Sequence, residues 1–262
     1  MSRPDHRLRP EVAPGVHRLG DHVVNFYLVE DPEGPVLVDA GLPGHLGQLL
    51  DHLAASNRSP ADIRAVLLTH GHPDHTGLAH VLQQAGADIR IHRHDAAILR
   101  DGPRSAMRHA GPERSMLRYL LRRPAAIATP LHLARNGAFT APALSAGPGL
   151  RVFGADQRLE DVPGAPQAVV LPGHTPGSAA YLFPERGLLF TGDALVTHDG
   201  LTGHTGPTLV CRGFTHDSDA ALAALDRLDE LTTATLLLPG HGDPFTGSPQ
   251  AATDRARQLG RR

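Results

Sequence analysis

Short apolar runs punctuated by glycine, proline and aspartate set the rhythm of the first part of the chain. Residues 23–29 and 36–38, the latter running into Asp39-Ala40-Gly41, read as strands joined by turns. Residues 43–55 carry Leu46, Leu49, Leu50 and Leu53 at the spacing that lines one face of a helix. A strand at 65–68 then delivers the chain into LLTHGHPDHTG, residues 67–77. Residues 77–85 read as helix and 89–91 as strand, so this half alternates. The run 95–146 breaks the alternation: it is rich in Arg, Ala and Pro, and Met116, Leu117, Leu120 and Leu121 form an apolar stripe within 113–123. It reads as a helical insertion. Strand patterns return at 150–153, 168–171, 179–183 and 187–190, followed by a helix at 217–231 and a strand at 235–238. This order suits two packed sheets with helices outside better than a doubly wound sheet. No repeat period is evident. With 262 residues, the expectation is one domain over 1–262 with the insertion at about 95–146.

The cluster His70-Gly71-His72-Pro73-Asp74-His75 falls in the loop after a strand end. An extended backbone aims alternate side chains the same way, so His70 and His72 are placed to grip one ion. Asp74 and His75 then face elsewhere and suit a second ion beside it, the arrangement of a two-metal hydrolytic site. Neither ion is complete with these groups. Three later segments offer the missing residue types, each after a short apolar run and a glycine that lets the chain turn: His174 after VVLPG, Asp193 after LLFTG and His241 after LLLPG.

Composition narrows the field. About 40% of residues are apolar and 20% charged, with a formal net charge of -2, which is ordinary for a globular protein and gives no sign of a nucleic-acid partner. All 25 basic residues are arginines, which excludes a lysine Schiff base, a P-loop lysine and a lysine general base. The single cysteine, Cys211, forms no intramolecular disulfide and no four-cysteine zinc site, and reads as an inert small residue. The N-terminal MSRPDHRLRPEVAPG has no apolar signal core, and no window reaches the roughly 18 apolar residues of a spanning helix. The expectation is a cytoplasmic protein without a membrane partner.

THGHPDH, PGHTPGS, TGDA and PGHG, with VDAG at 38–41 before them, stand in the order found in the metallo-β-lactamase superfamily, which the chain resembles over about 15–247. The resemblance implies an α+β fold, the four-layer αββα sandwich with its site at one edge. It also implies that His70, His72 and His174 hold a first metal and Asp74, His75 and His241 a second, with Asp193 bridging. Asp39 matches the family's early aspartate and is expected to orient an imidazole rather than bind metal. The cofactors so implied are two divalent ions, zinc first, with iron or manganese as alternatives.

The leading functional expectation is a dinuclear zinc hydrolase that cleaves an ester, thioester, lactone or amide bond of a small molecule through a metal-bridged hydroxide, with Asp74 and Asp193 as catalytic groups. The absence of a visible signal peptide argues against a secreted β-lactamase. The short stretch after His241 argues against glyoxalase II, whose members carry a C-terminal helical domain. A lactonase fits by size, with Tyr119 a guess for a substrate-activating tyrosine and Tyr181 placed in a strand. The alternative is an oxidoreductase resembling persulfide dioxygenases, in which His70, His174 and Asp193 hold a single iron. A metal-binding protein without activity is disfavoured because every expected ligand is present. His6, His17, His22, His45, His52, His80 and His132 read as ordinary core or surface residues. His198, His204 and His216 lie in a Gly-rich stretch placed to overhang the site. The arginines between Arg104 and Arg123 read as a solvated helix face, with recognition of an anionic substrate as the alternative, and the apolar stripe as core, lid packing or a homodimer contact. The insertion, between ligand motifs, is expected to set substrate choice as a lid.

Overall fold

The computed structural model describes residues 11–144, 147 and 149–262; the N-terminal stretch with His6, and positions 145 and 146 of the insertion, lie outside these. The first sheet keeps chain order: β1 (Glu11–Ala13), β2 (Val16–Gly20), β3 (Asn25–Val29), β4 (Val36–Val38), β5 (Ala65–Leu67), β6 (Asp88–His92) and β7 (Leu150–Phe153). Pairing is antiparallel through β4 and parallel from β4 to β7.

The chain then builds β8 (Gln157–Arg158), β9 (Gln167–Val170), β10 (Ala179–Phe183) and β11 (Leu188–Gly192). A separate hairpin follows, β12 (Val196–Asp199) with β13 (His204–Thr208). It occupies the stretch read from sequence as a Gly-rich loop. β14 (Leu236–Pro239) and β15 (Phe245–Thr246) complete a second sheet in the order β15-β14-β11-β10-β9-β8.

Why these short runs form strands is visible in β4. Side chains alternate across a strand, and both faces of β4 are covered, so every position is apolar. Val36 and Val38 join Tyr27, Leu67, Tyr181 and Phe190 in the core between the sheets. Leu37 faces outward against Leu49 and Leu53 of α1 (Leu46–Ala55). Next come α2 (Pro73–Thr76) and α3 (Ala79–Gln84), with Leu82 of α3 in the same outer core. On the other side, Val169, Ala180 and Leu237 pack against Leu225 and Ala252. Each fully buried Leu or Phe contributes about 1.5–3 kcal/mol over an exposed one, so three stacked cores fix four layers in the order αββα.

The insertion between β6 and β7 is helical, as the sequence predicts: α4 (Ala96–Asp101), α5 (Ala106–His109), α6 (Leu117–Arg122) and α7 (Ala128–Arg135). The last two helices, α8 (Ser218–Asp229) and α9 (Pro249–Leu259), cover the second sheet. Asp217 and Ser248 accept from backbone N–H groups of their first turns and so fix where they begin. Among the described residues no helix is long and apolar enough to cross a membrane.

The topology gathers strand ends. β4 runs parallel to β5, and β11 parallel to β14, while β9 and β11 both run antiparallel to β10 and hence share a direction. The backbone bond from Ala179 N to Thr69 O, 2.8 Å, joins the two sheets where β5 ends. Asp39, His70, His174, Asp193 and His241 thus follow strand ends at one edge of the sandwich.

Candidate metal centre

β5 runs out through Leu68 and Thr69, and His72 stands extended at φ -66°, ψ 149° before the single turn of α2 begins at Pro73. Proline is tolerated there because its missing N–H is one of the helix's unpaired donors anyway. The change from extended to helical backbone, rather than alternation throughout, divides the cluster. His70 and His72 meet His174, and the Nδ1 of His72 lies 2.8 Å from the Nε2 of His174. Asp74 and His75 meet His241, with Asp74 Oδ2 3.7 Å from His75 Nε2 and 3.6 Å from His241 Nε2. Asp193 sits between the two groups: Oδ2 is 3.4 Å from His174 Nε2 and 3.1 Å from His241 Nε2, and Oδ1 is 3.5 Å from His75 Nε2. All seven sequence-predicted residues are brought together.

Their orientations are set from behind. The buried Asp39 carboxylate accepts from His75 Nδ1 at 2.8 Å, from Thr69 N at 2.8 Å and from Thr69 Oγ1 at 2.9 Å, so His75 presents Nε2 to the site. Asp39 takes φ 60°, a left-handed conformation that aspartate tolerates better than most residues. His241 Nδ1 donates to the Val23 carbonyl at 2.6 Å, which again leaves Nε2 free. Gly240 permits the close approach of the second group: a Cβ there would stand 2.4 Å from Asp193 Oδ1 and 2.5 Å from His75 Cε1.

Sequence reasoning missed Asp95. Fully buried, it accepts from Gly71 N at 2.7 Å, Thr175 Oγ1 at 2.6 Å and Gly177 N at 2.7 Å, and so ties the His70–His72 loop to the His174 loop. A faint signal was present, an aspartate shortly beyond a strand end, as with Asp39.

The electrostatics suit cations. Burial, reinforced by neighbouring imidazoles, holds His70 well below the usual histidine range, and burial also lowers His72 and His174, which keeps them neutral and able to ligate. For His75 and His241 burial acts in the same direction but is outweighed by carboxylates, Asp193 foremost, which raise them to about 9 and about 10. Burial pushes the Asp193 carboxyl up, yet the imidazoles of His241, His75 and His174 hold it well below the carboxylate range. Positive charge is favoured at the second group.

Three buried atoms facing the cluster, Nε2 of His70, Nε2 of His75 and Oδ1 of Asp193, have no hydrogen-bond partner among the described residues. Orphaned groups of this kind cost about 1–3 kcal/mol each unless something satisfies them. Imidazole and carboxylate donors converging on such orphans fit a divalent zinc, iron or manganese ion.

Above the seven residues opens a cavity of about 500 Å³. His72, Asp74, His174, Asp193 and His241 form its floor, and the insertion walls it with Ala106, Met107, Met116, Leu133 and Phe139. His198 lines it from β12, and so does His22, which sequence reasoning gave no role. His204 and His216 do not reach it, and His216 Nδ1 donates instead to the Gly111 carbonyl at 3.0 Å.

None of the tyrosines reaches the cavity. Tyr119 donates to the Arg262 carbonyl at 2.9 Å and packs toward Gly213, which corrects its guessed role against substrate. Tyr181 is buried in β10 and bonds the Leu68 carbonyl, as its strand position implied. The apolar stripe is not one face. Met116 and Leu120 pack toward Ala126, Leu201 and Cys211, whereas Leu117 and Leu121 are 60% and 75% exposed, because α6 is too short to bury more than one side. Burial pushes the Cys211 thiol pKa up, in keeping with an inert residue.

Residues 19–241 match the family profile of the metallo-beta-lactamase superfamily. The chain belongs to that superfamily. Over 255 residues it is 26% identical to the probable metallo-hydrolase YflN of Bacillus subtilis, covering 90% of this chain and 87% of YflN. Among solved structures it resembles the metallo-beta-lactamase family protein TTHA1429 of Thermus thermophilus, with a TM-score of 0.66, 25% identity, and coverage of 93% of this chain and 78% of that one. TTHA1623 in a di-iron-bound form is also similar, with a TM-score of 0.61, 28% identity, and coverage of 90% and 96%. The superfamily's αββα sandwich is the architecture described above, and its fold implies divalent metal binding.

Proposed function

We propose that the chain is a metal-dependent hydrolase that holds two divalent ions, zinc in the leading reading, and cleaves an ester, thioester, lactone or amide bond of a small, largely apolar molecule. The observation that carries this reading is the pair of ligand groups flanking one carboxylate. His70, His72 and His174 would hold the first ion and Asp74, His75 and His241 the second, with Asp193 between them. When bound, the ions supply Lewis acidity, which lowers a water's pKa from about 15.7 toward about 7 and polarises the scissile carbonyl.

The chain's own residues supply the rest. Asp39 and the Val23 carbonyl hold the His75 and His241 rings in the ligating tautomer. Asp74, on the cavity floor, takes the proton of the attacking water and returns it to the leaving group. The apolar walls of the insertion desolvate the substrate and orient its bond over the floor.

The completeness of the second group, Asp74 with His75 and His241, supports two ions over the single iron of a persulfide dioxygenase. That TTHA1623 is described in a di-iron form separates the number of ions from their identity. The test is a panel of aryl esters, acyl lactones, thioesters and amides assayed with protein reconstituted with zinc, manganese or ferrous iron. Metal-dependent hydrolysis that disappears in Asp193→Ala supports the proposal. Oxygen uptake with glutathione persulfide, and no hydrolysis of any substrate, would transfer the reading to the dioxygenase.

A further inference from the structure

A second cavity, of about 220 Å³, lies against α6 and shares no lining residue with the cavity over the candidate metal ligands. Six of its seven lining residues are arginines, and the seventh is Tyr119. Three separate segments supply them. Arg114, Arg118 and Arg122 recur every fourth residue and so stand on one side of α6 and its approach; Arg212 follows β13; Arg261 and Arg262 follow α9. The arrangement is held from within. The Arg262 carbonyl accepts both from Tyr119 Oη and from Arg212 N, each at 2.9 Å, which docks the 261–262 segment beside α6.

Only part of this charge is answered. Glu113 takes Arg212 in a two-pronged pair at 2.6 and 3.1 Å, and Asp219 pairs with Arg261. Among the described residues, the side chains of Arg114, Arg118, Arg122 and Arg262 have no ion pair or hydrogen bond. A chain whose formal net charge is -2 thus concentrates around one small cavity four guanidinium groups that have no side-chain partner among the described residues. That is a local feature rather than a generally basic surface. Guanidinium forks match the oxygens of a phosphate two at a time, and like charges this close gain most from a ligand that carries several negative oxygens. With a water's share of liquid volume about 30 Å³, the cavity has room for a phosphate group and a small attached moiety, not for a polymer.

We propose that the arginine cavity is a binding site for a small phosphate-bearing anion, separate from the metal centre. Met116 and Arg123, at either end of α6, line the cavity over the metal ligands, so an anion held by Arg118 and Arg122 bears on the roof of that site as well. Leu117 and Leu121 stand exposed on the same helix, so the phosphate has two physical sources: a free anion, or a lipid headgroup whose membrane receives the two leucines.

The test titrates the full-length, metal-loaded chain calorimetrically with inorganic phosphate at low ionic strength. In parallel, the chain is sedimented with phosphatidylcholine vesicles with and without phosphatidic acid. The paired charge reversal Arg118→Glu with Arg122→Glu is expected to weaken binding at least about tenfold, since it removes two guanidinium forks. The same charge change at Arg104 and Arg135, outside the cavity, is expected to leave it unaltered. Glutamine at 118 and 122 gives the same reading should the glutamate pair not fold. Phosphate binding with this sensitivity assigns a soluble ligand; sedimentation with phosphatidic acid alone, with this sensitivity, assigns a headgroup. Binding of neither, or binding indifferent to positions 118 and 122 or equally reduced by the control pair, overturns the proposal.

Discussion

The floor of the larger cavity is made by loops at the ends of strands buried on both faces; Asp39 and the Val23 carbonyl hold its imidazoles from behind, and Asp95 ties its loops together. Its roof is made by helices of four to eight residues and the turns that join them, and these carry Met107, Leu117, Leu121, Ile127, Leu131 and Phe139 exposed. A side chain held by several buried hydrogen bonds has one orientation, whereas a short helix with half its apolar face in water has few contacts to lose when it shifts. In the proposed reading the floor therefore sets the chemistry and the roof selects what reaches it, and variants in the two regions should fail in different ways.

The largest effect is expected at the junction of the two ligand groups. Asp193→Ala should reduce metal-dependent hydrolysis by about 10³-fold or more, on the scale of losing a principal electrostatic group, while the circular dichroism spectrum stays that of the wild type. Full activity in that variant would remove Asp193 from the site. Next comes Asp39→Ala, which leaves the buried Thr69 N–H and His75 Nδ1 without their acceptor. Metal affinity should fall about 10–100-fold in a chelator competition, the usual penalty for losing a group that orients a ligating imidazole. An unchanged affinity would mean that His75 is positioned by something else.

For the roof, removal of residues 104–123 should change the ranking of substrates by about tenfold in kcat/KM, with little change in metal content. Identical kinetics across the panel would count against selection by the insertion. The smallest effect is expected where roof and floor are tied. Asp21 accepts from His45 Nε2 at 3.0 Å and from His132 Nε2 of α7 at 2.6 Å, as well as from the N–H groups of Val23 and Val24. Burial alone would raise its pKa, but the bonds from His45, Val24 and Val23 outweigh burial and hold the carboxyl well below its ordinary 3.8. A depressed folded pKa contributes stability above the unfolded value and loses it as pH falls below that value. Asp21→Asn should accordingly lower Tm at pH 7 on the order of 2–4 °C, and the gap to the wild type should narrow below about pH 4. A gap that widens in acid would contradict the tie.

The same contrast separates what was legible in the sequence from what was not. The floor is local code: an apolar run, a glycine and then a histidine or aspartate marks His174, Asp193 and His241, and His70 opens the crowded His-Gly-His-Pro-Asp-His stretch just beyond a strand, so all four were legible in the sequence. The central strands of both sheets were legible for a related reason, since strands buried on two faces are apolar at every position, whereas β1, β2, β8 and β15, which are partly or wholly exposed and carry polar residues, were not. Asp95 escaped because its partners Thr175 and Gly177 lie 80 and 82 positions away, and nothing near Asp95 marks the pairing. β12 and β13 escaped because Gly200, Gly203 and Gly206 punctuate them as they would a loop. In the roof the helical composition was legible, but which side of a six-residue helix is buried depends on distant neighbours. Tyr119 points as it does because Gly213 and the Arg262 carbonyl receive it, and Leu117 and Leu121 are exposed as a result.

Whether two ions share the floor across Asp193 is decided by elemental analysis of protein purified without a histidine tag or chelator. About two divalent ions per chain are expected, falling in Asp193→Ala. One ion per chain, above all a single iron, would contradict the two-ion reading, and no metal even after reconstitution would contradict the assignment of the site.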